Sequence, residues 1–145
     1  MDNSRVTPKR PLPVPPPESL PFWQAAHQRR LTFPRCDACG KSWFPPANLC
    51  PHCLSDGFHW EEACGRGKVF SFVVVHRVYH GYFANKVPYT VAVVELDEGP
   101  RILSNIVGVD PQKVHCNMAV QVAFDEAGPD MTLPLFAPVE AVRKS

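Results

Sequence analysis

The sequence predicts a mainly β protein built from one short N-terminal helix, a metal-stapled ribbon and a small closed five-stranded barrel. Three observations carry that prediction. Two Cys-x-x-Cys pairs fall within Cys36 to Cys53, one stretch of helical period precedes them, and five short runs of period two rich in Val, Ile and Phe follow. At 145 residues the chain can bury one modest core beside a stapled module. A formal net charge of +1 provides no long-range field to recruit polyanions, which leaves nucleic acid unsupported as a partner.

Residues 1 to 17 carry six of the chain's 17 prolines and little apolar period, so an extended, weakly ordered arm is expected there. From 18 to 32 the character changes. Ser19 can cap a helix, Pro21 suits its first turn, and Phe22, Trp23 and Ala26 share one stripe, with Arg29 and Arg30 near the end that favours positive charge. Two readings of the Phe22–Trp23 pair stand: packing against the protein's own body, or an anchor on a partner or ligand.

Residues 33 to 63 read as a zinc ribbon. A tight turn at each Cys-x-x-Cys aims two sulfurs at one point, so Cys36, Cys39, Cys50 and Cys53 can close around a Zn²⁺ ion. Catalytic zinc keeps a position open for water, whereas four thiolates fill every position, so the expected role is structural. His52 is read as a solvated turn residue. Cys64 and Cys116 are left over, and both are expected to be small buried apolar side chains. Paired zinc-ligand cysteines suit a reducing compartment, and no run of about 18 apolar residues or apolar leader core is seen, so a cytoplasmic location is expected.

Residues 64 to 138 hold the five runs GKVFSFVVVH, YTVAVVEL, RILSNIVG, MAVQVAFD and MTLPLF, with 139 to 145 as a tail. Five short strands, a tight turn at DEGPR and a longer crossing at GVDPQKVHCN suit an OB-fold barrel. Phe72 to Val75 and Val91 to Val94 are apolar at nearly every position, which implies cover on both faces, from the ribbon and helix or from another subunit. The loop from Arg77 to Pro88 displays Tyr79, His80, Tyr82 and Phe83, suited either to contact with an apolar partner or ligand or to self-packing over the barrel mouth. His76 and His80 are bases by type only. No nucleophile elbow, phosphate loop or carboxylate pair accompanies them.

The order FWQAAHQRRL, CDACGKSWFPPANLCPHC, GRGKVFSFVVVHR, PYTVAVVELDEGPRILSNIVGVDP and LPLF resembles a family of zinc-ribbon plus OB-fold proteins associated with acyl-CoA enzymes, over about Leu20 to Pro138. Cys64 stands where that family often has Ser, and Asn117 where it often has Gly. The resemblance implies a rubredoxin-like ribbon, structural zinc and a non-catalytic accessory subunit. Its expected partner is a thiolase-like catalytic subunit (thiolase, acyltransferase or aldolase), in a hetero-oligomer whose acyl-CoA channel it helps to build. The alternative partner is a hot-dog enoyl-CoA hydratase. On this reading Arg66, Lys68 and Arg77 contact CoA phosphates, although for any single one of them a solvated surface cation is the more ordinary reading at a strand end. Phe22, Trp23 and the aromatic loop then serve the partner or channel. A single-strand nucleic-acid binder is a further alternative, but the middle strands carry Val, Ala, Glu95 and Asp97 rather than a basic aromatic groove. An independent enzyme is the weakest reading for want of a catalytic set.

Overall fold

The computed structural model describes residues 14–77, 87–128 and 131–139. A 3-10 turn, Pro17–Ser19, leads into helix α1 (Leu20–His27). Strands β1 (Thr32–Cys36) and β2 (Phe58–Glu62) form a two-stranded antiparallel sheet, and β3 (Arg66–Val75), β4 (Tyr89–Leu96), β5 (Arg101–Ile106), β6 (Ala119–Gly128) and β7 (Met131–Pro138) close into a barrel of order β3-β4-β5-β7-β6. The five expected strands are present, with the β4–β5 hairpin at DEGPR and a 3-10 turn, Pro111–Lys113, in the crossing to β6. No described helix is long and apolar enough to cross a membrane.

Alternation sorts each strand into core and surface. On β4, Thr90, Ala92, Val94 and Leu96 point inward and are buried, and Val69, Val120 and Phe136 meet them from three other strands. The ribbon shares this core. Leu31 and Phe33 are buried in the same cluster, and the amide of Ala63 donates to Leu31 O, so β1 and β2 lead directly into the barrel wall.

The helix is shorter than expected, and its cap differs. Ser19 makes no side-chain cap; its hydroxyl donates to Pro16 O at 2.8 Å, holding the preceding turn instead. At the other end Arg29 adopts a left-handed φ of 61°, turning the chain out of the helix, and its guanidinium pairs with Glu126 of β6 at 3.0 Å. Ala25 and Ala26 are buried, and His27 Nδ1 lies 3.3 Å from Thr132 Oγ1 on β7.

Among the described residues, the doubly apolar strands are covered on one side only. The bulge between Val69 and Ser71 shifts the alternation, so that Val73 faces outward beside Val91 and Phe72 faces inward beside Ala92. Phe70, Val73 and Leu103 are exposed, at 46%, 60% and 69%. Neither ribbon nor helix supplies the cover expected for this face.

The GRG entry to the barrel has a steric reason. Gly65 sits at φ 87°, where a Cβ would lie 2.7 Å from Val122 Cγ1, and a Cβ on Gly67 would lie 2.5 Å from Glu95 O. Asn117 occupies φ 70° while its amide donates to Val69 O, so an asparagine supplies the left-handed turn that glycine otherwise would. Gly67→Ala is expected to force the β3 and β4 backbones apart and to cost about 1–3 kcal/mol, read as a lower urea midpoint.

Candidate functional site

Each Cys-x-x-Cys is a turn closed by the same hydrogen-bond scheme. Gly40 donates to Cys36 O at 3.1 Å and Leu54 donates to Cys50 O at 2.8 Å, with both donors left-handed at φ 76° and 65°. Amides inside the turns point at sulfur. Those of Ala38 and Cys39 lie 3.3 and 3.4 Å from Cys36 Sγ, and that of His52 lies 3.4 Å from Cys50 Sγ. The two turns face one another so that all four sulfurs lie within 4.8 Å, with Cys36 to Cys53 at 3.5 Å and Cys39 to Cys50 at 3.7 Å. Tetrahedral ZnS₄ corners are about 3.8 Å apart for Zn–S bonds of about 2.3 Å.

The electrostatics call for a cation. The Cys39 amide, with that of Ala38, pulls the Cys36 thiol down to about 6. The Ser55 amide favours the Cys53 thiolate, but hydrogen bonding with Cys36, burial and the other two sulfurs outweigh it and push that thiol up to about 12. One sulfur therefore ionises readily at the expense of its neighbour, and a divalent ion removes the conflict. Cys36, Cys39, Cys50 and Cys53 fit Zn²⁺ in donor type, number and spacing, and they leave no position for substrate. His52 stays outside this set: it is exposed, its ring Nε2 3.2 Å from Ser42 O.

Beside the sulfurs lies a polar chain that spacing alone did not reveal. Arg35 Nε donates to Glu61 at 2.8 Å and its Nη1 to Gly40 O at 2.7 Å, while His59 bridges Glu61 (2.9 Å) and Asp37 (2.6 Å). Hydrogen bonds to Glu61 and then Asp37 raise the His59 pKa, and hydrogen bonds from Arg35 and then His59 lower that of Glu61. His59 and Glu61 are two apart on one strand face, but Arg35 and Asp37 join them only through the β1–β2 register.

The other sequence-selected residues do not converge. Arg66 and Lys68 are exposed at one end of β3, with Lys68 Nζ 3.6 Å from Glu95, while Arg77 lies beyond the other end, more than about 20 Å away along the strand. No single phosphate can meet all three. Phe22 is buried within the chain, edge-on to Trp23 and Phe44 at 5.0 and 5.1 Å, which ties helix to ribbon. Trp23 is the member of the pair that reaches a surface, lining a cleft of about 200 Å³ between β5 and β7. Tyr79, His80, Tyr82 and Phe83 lie outside the described residues. Cys64 and Cys116 are exposed, not buried as expected, because Cys64 lies in the short link from β2 to β3 and Cys116 in the turn that precedes β6. The Arg66 amide favours the Cys64 thiolate, yet burial and the carboxylates of Glu98 and Asp97 outweigh it and raise the thiol's pKa.

Comparison with known proteins matches both modules. The ChsH2 rubredoxin-like zinc ribbon domain matches residues 23–59, and the ChsH2 C-terminal OB-fold domain matches residues 60–125. A probable enoyl-CoA hydratase alpha subunit of Thermomonospora curvata is 47% identical over 120 residues, covering 81% of this chain but 36% of that protein, so the chain spans about a third of that relative. A DUF35 domain-containing scaffold protein of Methanothermobacter thermautotrophicus is 35% identical over 74% of this chain and 81% of its own length. The benzoylsuccinyl-CoA thiolase subunit BbsA of Geobacter metallireducens is 31% identical over 78% and 68%. A solved chain of an Ltp2-ChsH2(DUF35) aldolase superposes with a TM-score of 0.80 and 42% identity, over 88% of this chain and 98% of that one.

Replacing one ligand in Cys39→Ser should lower zinc content well below one per chain and leave the ribbon open to protease, as read by elemental analysis and limited proteolysis. A pH dependence follows from the neighbouring polar chain. The raised pKa of His59 makes its stabilisation complete below the ordinary value of 6.5 and lost as pH rises through the higher folded value. For Glu61, lowered from 4.5, the contribution is complete above that value and lost as pH falls through the lower folded one. Melting curves of zinc-loaded protein should therefore show wild type above His59→Asn near pH 6, with the gap closing as pH rises into the alkaline range.

Proposed function

The chain belongs to the ChsH2 family of zinc-ribbon plus OB-fold proteins, also called DUF35, and we propose that it is a non-catalytic accessory subunit of an acyl-CoA enzyme complex. Its catalytic partner on this reading is a thiolase-like subunit, and the barrel helps to wall the passage that delivers the acyl-CoA. The observation that carries the proposal is the 42% identity and 0.80 TM-score to nearly the whole of a chain solved within a two-component aldolase. The relatives named as a thiolase subunit and as scaffold proteins point the same way.

The chemistry of the chain is consistent with that role. Its metal site is closed by four thiolates, so zinc serves as a cross-link and is given no part in polarising a thioester. Of the cations at one end of β3, Arg66 is proposed to meet CoA phosphates while Lys68 is engaged by Glu95, and Arg77 with the aromatic loop is proposed to border the passage. Thiolates kept reduced for the metal are the reason to place the protein in the cytoplasm.

A second reading, accessory domain of an enoyl-CoA hydratase, is favoured by the 47% identity to the hydratase alpha subunit. The catalytic partner separates the two. The tagged chain should be purified with the proteins that co-fractionate with it, and each pair assayed for aldol cleavage, thiolysis and hydration of acyl-CoA substrates. The chain alone is expected to give no turnover, and activity should appear or rise with a thiolase-like partner. Hydration with a hot-dog partner selects the second reading, and sustained turnover by the isolated chain overturns both.

A further inference from the structure

The barrel treats its outer surface unevenly. On β6 the outward positions are Ala119, Gln121, Ala123 and Asp125, a composition suited to water. Across β3, β4 and β5 the outward rows are instead Ser71–Val93–Leu103 and Val73–Val91–Asn105, with Phe70 beside them at the bulge. Val73 and Leu103 are more than half exposed, and the shallow hollow between the strands is lined by Ser71, Val91 and Val93. Leu103 also borders the cleft of Trp23, so apolar surface continues from the sheet to the helix. The apolar outward row of β7, Met131, Leu133 and Leu135, lies beside helix α1 and Trp23, whereas no described element covers the face of β3, β4 and β5, and a contiguous apolar area of this kind is suited to docking.

The rim indicates what docks. Next to the apolar rows stands the row Lys68–Glu95–Arg101, in which both cations lean on one carboxylate, at 3.6 and 3.1 Å. The row thus has one surplus positive charge. The Arg101 guanidinium also covers the Phe70 ring at 3.7 Å, which holds the cation at the edge of the apolar area and not out in solvent. Asp97, beyond the row, is turned to the Cys64 thiol at 3.8 Å. A complementary occupant is apolar at its centre and brings a carboxylate to the Lys68 and Arg101 edge.

We propose that the outer face of β3, β4 and β5, centred on Val73, Val91, Val93 and Leu103, is the surface on which the catalytic subunit sits, with an acidic group of that subunit meeting Lys68 and Arg101. The proposal rests on the accessory-subunit reading and assigns it a face, in place of the helix: Phe22 is committed to the chain's own core. The test uses the full zinc-loaded chain and the catalytic subunit that restores activity in the reconstitution above. Val73→Glu and Leu103→Glu place a charge at exposed positions, where folding should be unaffected, and zinc content and melting temperature verify this. Leu54→Asn removes an even more exposed apolar side chain from the ribbon and serves as comparison. Titration calorimetry should show binding weakened more than tenfold by each glutamate and unchanged by Leu54→Asn, and Arg101→Ala should weaken it less and flatten its salt dependence.

Wild-type-like affinity in both glutamate variants overturns the assigned face while leaving the accessory role intact. A subunit that binds no form of the chain, wild type included, defeats the accessory reading itself. If the wild-type chain is a dimer by sedimentation and the glutamate variants are monomers that still bind the subunit, the face belongs to a second copy of the chain and the proposal is wrong.

Discussion

Four sulfurs within 4.8 Å of one another cannot all hold negative charge unless a cation sits among them, and much of the molecule depends on that constraint. Cys36 is the last residue of β1, and Phe33, three residues earlier on the same short strand, is fully buried in the core shared with the barrel. Metal site and barrel core are thus joined by one continuous stretch of extended backbone. The β1–β2 register that sets Cys36 against Phe58 also sets Phe33 against Glu61. A chain without its ion would lose the fixed point from which this register is counted.

A second junction ties the modules from the side. Phe22 of the helix meets Phe44 of the ribbon edge-on, and both border the cleft between β5 and β7. There the barrel is closed by the parallel pairing of Ile106 with Phe136 and by the amide of Val107 on Phe136 O. The aromatic pair therefore shields the place where the barrel's own ladder is thinnest.

What the sequence revealed follows from how local each signal is. Cysteine spacing and period-two runs are short-range patterns, so the ribbon and all five barrel strands could be read directly. The end of the helix could not, because Arg29 has no propensity that announces a left-handed turn, and its reward, Glu126, lies far along the chain. Cys64 and Cys116 are exposed for a related reason: apolar neighbours in sequence say little about a residue that sits in a connection between strands. The chain of Arg35, Glu61, His59 and Asp37 needed a register before it could be seen. Runs such as Phe72 to Val75 report that a face is apolar, not whether its cover belongs to the same chain.

The barrel's hydrogen bonding is unevenly distributed around its circumference. Long ladders join β3 to β4, β4 to β5 and β6 to β7, but β3 meets β6 over a shorter stretch, Arg66 to Lys68 with flanking backbone bonds at Gly65 and Val69, and β5 meets β7 at Ile106 with the Val107 amide on Phe136 O. The molecule is in this sense two leaves, one of three strands bearing the apolar face and one of two strands bearing the helix, hinged along two short seams. Both leaves close on one core, with Val69 and Val94 from the larger and Val120 and Phe136 from the smaller, so side-chain packing holds the seams where ladder bonds are few. The cleft at Trp23 lies along one of those seams, so the side chains that line it stand in for the ladder that the strands there do not make.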